Sequence, residues 1–116
     1  MNNPFVALEL CICMKLKIKA TNLKLTPEIK NYVQEKMDML DKYMGETRPL
    51  NCDFEVGLTT HHHLKGEIFM AEANLNLPGE LLRVTKTEKV LFKAIDKVKD
   101  HLARIIVKYK EKKRKY

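Results

Sequence analysis

Residues 91–109 carry an apolar repeat that a helix alone can place on one face. Its members recur at spacings of 4, 3, 4, 3 and 4 residues: Leu91, Ile95, Val98, Leu102, Ile105 and Tyr109. This period matches the turn of an α-helix. A helix with a single apolar stripe is stable in water only when another element covers that stripe. The rest of the chain must therefore supply a packing surface.

That surface is predicted by stretches in which apolar and polar residues alternate. Alternation places every second side chain on the same side of a β-strand, so each stretch can bury one face. The predicted strands are residues 15–21, 52–59, 69–77 and 80–86. Pro78 and Gly79 are a turn signal between the last two strands and predict a tight hairpin there.

A first helix is predicted between the first two strands. Thr26 is a favoured N-cap residue, and Pro27 is well tolerated at the first helical position. The apolar residues that continue at helical spacing until Gly45 are Ile29, Val33, Met37, Leu40 and Met44. We therefore expect one helix over residues 27–44.

The predicted element order is β-α-β-β-β-α, which is an α+β fold. Strands two to four form an antiparallel meander, and a right-handed crossover through the first helix joins two parallel strands. Both helices are expected on one face of a four-stranded mixed sheet. The residues expected on the other face are Lys15, Lys17 and Lys19 beside Asp53, Glu55 and Glu72. Their charges can compensate each other across strands.

The length of 116 residues predicts one domain. We expect a loose N-terminal extension over residues 1–13, a folded domain over 14–112 and a basic, frayed tail over 113–116. The apolar run 5–13 lacks a preceding basic region and a cleavage pattern, so no signal peptide is expected. No stretch approaches the roughly 18 apolar residues that span a bilayer, so no membrane partner is expected.

Positive charge is concentrated at the end of the chain. Residues 83–116 hold thirteen Lys or Arg against four acidic residues, and the first 82 hold nine against eleven, so +9 and −2 sum to the net +7. One helical face carries a basic row: Lys89, Lys93, Lys97, His101, Arg104, Lys108 and Lys112. Such a face predicts a polyanionic partner. The alternative is a solvated lysine surface.

Metal and disulfide chemistry are poorly supported. Cys11, Cys13 and Cys52 are an odd number without a disulfide pattern, which predicts a reducing compartment and by default the cytosol. Cys11 and Cys13 lack a second ligand pair for a metal. The run His61-His62-His63 could meet one ion, but adjacent side chains of an extended segment point to alternating sides. We expect a polar hairpin loop there, which could also touch RNA, and no metal site or cofactor.

Catalytic motifs are absent from the sequence, including Gly-x-Ser-x-Gly, a phosphate-cradling glycine loop and His-Glu-x-x-His. No enzyme activity and no small-molecule substrate are therefore expected. The aromatic residues Tyr32, Tyr43, Phe92 and Tyr109 could stack on bases. For Phe92 and Tyr109, which lie on or near apolar stripes, core packing is the favoured interpretation.

Two stretches carry a family resemblance. The first runs from Ile18 through Leu25-Thr26-Pro27 to Tyr32-Val33, Lys36, Leu40 and Tyr43. The second is Phe92-Lys93-Ala94-Ile95-Asp96 followed by Arg104, Lys108, Lys110 and Lys112. Together, over about Met14 to Arg114, they resemble the bacterial ribosome hibernation-promoting factors, also called Y-protein or sigma-54 modulation proteins.

The resemblance implies a cytoplasmic factor that binds the small ribosomal subunit and its 16S rRNA in the mRNA/tRNA channel. Such a factor inhibits translation in stationary phase or under stress, without covalent chemistry. It also implies a fold similar to a double-stranded-RNA-binding domain. The chain resembles the short form, without a second domain, and is expected to be monomeric off the ribosome and not to bind DNA.

Departures from the family pattern are visible in the last helix. His101 occupies a position where the family carries a lysine, so a contact there would depend on pH. Ile105 and Val107 occupy positions where polar residues are expected, which leaves surplus apolar surface.

The residues predicted to contact RNA phosphates are Lys30, Lys36, Lys86, Lys89, Lys93, Lys97, His101, Arg104, Lys108, Lys110 and Lys112. Two alternatives stay open. The chain could bind structured RNA away from the ribosome, or it could be a protein-interaction module that pairs through Ile105 and Val107.

Overall fold

A computed structural model describes residues 16–45, 47–59 and 66–114, with the backbone alone for residues 113 and 114. The elements in these ranges are β1 (Leu16–Thr21), α1 (Pro27–Asp38), α2 (Asp41–Met44), β2 (Asn51–Thr59), β3 (Ile68–Leu77), β4 (Glu80–Glu88) and α3 (Leu91–Arg114). The predicted β-α-β-β-β-α order is confirmed. Lys15 at the predicted start of strand one, the extension 1–13 and the end of the predicted tail lie outside the described residues.

The strands of these ranges form one mixed sheet in the order β1-β2-β3-β4. β1 runs parallel to β2, and the other two pairings are antiparallel. The register aligns Ile18, Phe54, Ala73 and Val84 across the sheet on one face. That face is buried beneath the helices, because its side chains join the apolar residues of α1, α2 and α3 in one core.

The first helix begins as predicted but does not run unbroken to Gly45. The Thr26 hydroxyl accepts a hydrogen bond from the Ile29 amide at 3.2 Å, and Pro27 opens the helix. The Leu40 amide bonds to the Met37 carbonyl at 3.0 Å, a tightened turn that separates α1 from the short α2. The prediction of a single helix over residues 27–44 was therefore wrong in this detail. Apolar spacing alone does not register such a break.

Every member of the predicted stripe of α3 is buried except Ile105, whose place is taken by Ile106. Ile106 is fully buried, whereas Ile105 is only half-buried against the core. Between Leu102 and Tyr109 the stripe can pass through Ile105, with spacings of 3 and 4, or through Ile106, with spacings of 4 and 3. Both fit a helix equally well, so the repeat alone could not choose between them. Val107 is 40% exposed, so the expected surplus of apolar surface is reduced to little more than this side chain.

The hairpin between β3 and β4 is closed by two residues, as predicted. Leu77 pairs with Glu80, and Gly79 has a φ of +85°, a conformation that glycine adopts without strain. The Tyr109 hydroxyl donates a hydrogen bond of 2.6 Å to the Pro78 carbonyl. This bond fixes the hairpin tip to α3, and Tyr109 is buried in the core as expected.

The second face of the sheet is charged and lies away from the helices. One row across it contains Lys17, Asp53, Asn74 and Arg83. The Arg83 Nε atom donates a hydrogen bond of 2.7 Å to the Asn74 side-chain oxygen. Glu72 lies 3.6 Å from the same nitrogen. Acidic and basic side chains thus meet at several points on this face, although Glu55 and Glu72 are direct cross-strand neighbours.

Candidate nucleic-acid interface

The basic row of α3 is displayed along the β4 edge of the sheet. Its six lysine and arginine members are exposed, and His101 is half-buried. α3 packs on β3 and β4, so its outward face lies beside the last strand. The side chains that sequence reasoning placed on one helical face are therefore brought together in space.

Two acidic residues of β4 anchor this row at separate points. Glu88 forms an ion pair with Lys97, and Glu80 lies 3.7 Å from Lys112. The hydrogen bond from Lys97 holds the pKa of Glu88 below its usual range. Both pairs are exposed to water, so each contributes little to stability. Their effect is to neutralise two of the seven members of the row.

Between these anchors lies a cluster of positive charge without an acidic partner in the described part of the chain. Lys86 projects from the helix-facing side of β4, and His101, Arg104 and Lys108 project from α3. Burial, followed by the charges of Lys86, Arg104 and Lys108, lowers the pKa of His101. The His101 Nδ1 atom is shielded from solvent and has no hydrogen-bond partner among the described residues. We call these four residues the central cluster.

Three predicted contacts, Lys30, Lys36 and Lys110, lie outside the basic row and the central cluster. Lys30 is exposed on α1 and lines a shallow depression with Leu16 and Ile18 of β1, at the opposite edge of the sheet. The ammonium of Lys110 points at Gly45, where a Cβ atom would lie only 2.9 Å from it. Gly45 follows the C-terminus of α2, so the Lys110 ammonium faces the negative end of that helix dipole. The structure therefore does not gather these residues into the basic row.

Lys36 belongs to a cluster that joins α1 to α3. Its ammonium lies 3.4 Å from an Asp96 oxygen and 5.2 Å from the centre of the Tyr32 ring. The Tyr32 hydroxyl donates a 2.7 Å hydrogen bond to the same Asp96 oxygen, and its ring packs on Phe92 at 4.5 Å. The hydrogen bond to Asp96, with burial, raises the pKa of Tyr32 to about 12. We call Tyr32, Lys36, Phe92 and Asp96 the interhelix cluster.

The interhelix cluster was not expected from the sequence. Its hydrogen-bonded pair, Tyr32 and Asp96, is separated by 64 residues, and no rule of sequence spacing connects residues so far apart. The one signal was that both residues fall inside the stretches that carry the family resemblance. The structure thus gives Tyr32 and Phe92 a packing role and gives Lys36 an internal partner.

Metal ligands are not clustered in the described ranges, where no group of three or more suitable side chains occurs. Cys52 is buried in the core, and burial with the neighbouring Asp53 raises the pKa of its thiol to about 12. A thiol with that pKa stays protonated at neutral pH, which disfavours metal binding. Cys11, Cys13 and the run His61-His62-His63 lie outside the described residues. Of the described helices, none combines the length and apolarity needed to cross a membrane.

Comparison with known proteins identifies the family. A family model described as sigma 54 modulation protein / S30EA ribosomal protein matches residues 16–114. The chain therefore belongs to this family. The crystal structure of the Protein Y N-terminal domain from Thermus thermophilus shares the fold, with a TM-score of 0.66 and 27% identity, covering 83% of this chain and 99% of that one.

Several relatives of this chain are named ribosome hibernation promotion factor or ribosome hibernation promoting factor. One from Lactococcus lactis is 29% identical over 97 residues, which is 84% of this chain and 50% of that protein. Another from Klebsiella oxytoca is 26% identical over 99 residues, which is 85% of this chain and 96% of that protein. The chain spans about half the length of several curated relatives that it matches.

Proposed function

We propose that this chain is a ribosome hibernation factor, which binds the small ribosomal subunit in the mRNA/tRNA channel and inhibits translation under stress or in stationary phase. The observation that carries the proposal is the basic row, with the central cluster in its middle. The names of the relatives support the same assignment. The partner is 16S rRNA, and the site of action is the cytoplasm.

Phosphate binding explains the basic row better than a solvated lysine surface does. Lysines at a spacing of four residues repel each other by a few tenths of a kcal/mol per pair. Acidic residues form ion pairs with Lys97 and Lys112, whereas in the described ranges no ion pair is made by the cations of the central cluster. RNA phosphates supply the missing negative charge, and they position the protein without reading base sequence.

Inhibition is proposed to act by occupancy, with no chemical step. The chain holds its basic residues on a rigid two-layer fold, so a folded RNA surface of matching shape is the partner it suits. Pairing through Ile105 and Val107 is less favoured, because Ile105 packs against the core and leaves only Val107 exposed.

Co-sedimentation with purified small subunits tests the proposal. The test variant is Lys93→Ala with Lys108→Ala. The matched control is Lys17→Ala with Lys19→Ala, on the charged face of the sheet that lies away from the helices. Each pair of changes lowers the net charge from +7 to +5, that is 7 − 2. The test variant should bind at least about tenfold more weakly, because a charge-assisted hydrogen bond contributes roughly 1.5 to 3 kcal/mol. The control should bind like the wild type.

A cell-free translation reaction then tests the consequence of binding. The wild-type chain should inhibit translation, added mRNA or charged tRNA should oppose the inhibition, and the ribosomal RNA should stay intact on a gel. Equal loss of binding in both double variants would show that net charge alone matters. Cleaved ribosomal RNA would show that the mechanism is not occupancy.

A further inference from the structure

The central cluster has the features of a site for one anion. His101, Arg104 and Lys108 are spaced by 3 and 4 residues, so they project from the same side of α3. Lys86 comes from β4, on the same side of the strand as Val84, and closes the cluster from the sheet. Two separate elements thus converge on His101.

Two acidic side chains on these two elements are already paired. Glu88 of β4 is paired with Lys97, and Asp100 of α3 lies 2.8 Å from the ammonium of Lys99. The charged groups whose effect on His101 is resolved are Lys86 from the strand and Arg104 and Lys108 from the helix. All three are positive, so the field at His101 favours an anion.

The ring of His101 adds a second, independent observation. Its Nδ1 atom is shielded from water and makes no hydrogen bond in the structure. A shielded polar atom without a partner is costly, so a small shift of the ring that brings this atom to a hydrogen-bonding ligand is favourable. A protonated imidazole donates from both ring nitrogens, so an anion is a suitable ligand.

We propose that Lys86, Arg104 and Lys108 hold one phosphate group of the RNA backbone between β4 and α3, and that His101 takes up a proton as the phosphate binds. Affinity for the ribosome therefore increases as the medium becomes more acidic. This inference rests on the proposed function and adds a regulatory property to the same surface.

The coupling follows from electrostatics. Without an anion, burial and three cations disfavour the protonated ring. The pKa of His101 therefore lies below its usual range. A phosphate at the cluster offsets those cations and restores the preference for the charged ring. Binding then takes up at most one proton, and affinity increases by at most about tenfold per pH unit within the window between the two pKa values.

The first experiment follows the His101 ring of the full chain by NMR, with sulfate as the probe. Sulfate keeps its charge between about pH 5 and 8, the range in which histidine titrates. The spectrum of His101→Gln assigns the His101 signal among the four histidines. Sulfate should raise the pH at which this signal titrates, and Lys86→Ala should weaken that shift, whereas Lys17→Ala should not. An unchanged titration of His101 at saturating sulfate would overturn the proposal.

The second experiment measures binding to purified small subunits at about pH 7.5 and about pH 6. The wild type should bind several-fold more tightly at the lower pH, and His101→Gln should lose that increase. A variant that retains the full increase would overturn the inference. If sulfate shifts His101 but small subunits are not bound, the anion site stands and the proposed function fails.

Discussion

At the scale of single residues, Ile106 and Val107 are adjacent in sequence but lie in opposite environments. Ile106 is fully buried and Val107 is 40% exposed. Ile106→Ala should lower the free energy of unfolding by about 2 to 5 kcal/mol, because it removes buried methyl groups and leaves a cavity. Val107→Ala should change it by less than about 0.5 kcal/mol.

Urea denaturation followed by circular dichroism measures both values. Ile105→Ala serves as the register control and should fall between them, since Ile105 is half-buried. A larger loss at Ile105 than at Ile106 would contradict the observed stripe.

Tyr32 is a residue whose titration is strongly changed by its surroundings. Its pKa is raised to about 12, mainly by the hydrogen bond to Asp96. Because the folded-state pKa lies above the unfolded value, this contribution to stability is complete below about pH 10 and is lost as the pH rises towards 12. Spectrophotometric titration should show a tyrosine that ionises late, and Tyr32→Phe should remove it.

The partner variant separates charge from hydrogen bonding. Asp96→Asn keeps an oxygen acceptor but removes the negative charge, so Tyr32 should ionise earlier than in the wild type. Tyr32→Phe should also cost about 0.5 to 1.5 kcal/mol of stability through the lost hydrogen bond. No change in the late titration in either variant would show that the interhelix cluster is not formed in solution.

At the scale of elements, Gly79 closes the β3–β4 hairpin in a left-handed conformation. Its φ is +85°, and apart from the glycine and its two chain neighbours no heavy atom of the described residues lies within 4 Å of a Cβ placed there. Gly79→Ala should therefore cost about 1 to 2 kcal/mol through backbone strain alone. Gly79→Asn should cost less, because asparagine tolerates this conformation better. Thermal melts measure both variants. A lower melting temperature for Gly79→Asn than for Gly79→Ala would show that the size of the side chain, and not backbone strain, causes the loss.

The elements themselves were predictable because their periods differ. Alternation marked β1 to β4, and Thr26 with Pro27 marked the start of α1, since each signal depends on neighbouring residues only. The break at Leu40 and the choice of Ile106 over Ile105 depend on how the helices meet the sheet, which no local pattern contains.

The same distinction applies to the candidate site. The basic row was predictable from helical spacing, but its anchors Glu80 and Glu88 come from another element. Lys86 was expected to touch RNA, yet its position beside His101 follows only from the packing of α3 on β4. Lys36 looked like a free cation until the fold brought Asp96 to it.

At the scale of the whole molecule, binding through phosphates makes affinity depend on salt. Each neutralised phosphate contributes roughly 0.7 to 0.9 to the slope of log affinity against log salt. With about five contacts the slope should be near −4. Fluorescence titration on purified small subunits across a salt series measures it, and the Lys93→Ala, Lys108→Ala variant should have a shallower slope by about 1 to 2. A slope near zero is incompatible with phosphate contacts.

The uneven placement of charge described above also makes the molecule an electric dipole. Residues 83–116 carry +9 and the first 82 carry −2. In the field of a polyanion such a body experiences a torque as well as an attraction, and the torque turns α3 towards the negative surface before any contact forms. Rotation during approach raises the fraction of collisions that begin in the bound orientation. Spreading the same net charge of +7 evenly along the chain would therefore slow association even if every contact in the complex were preserved.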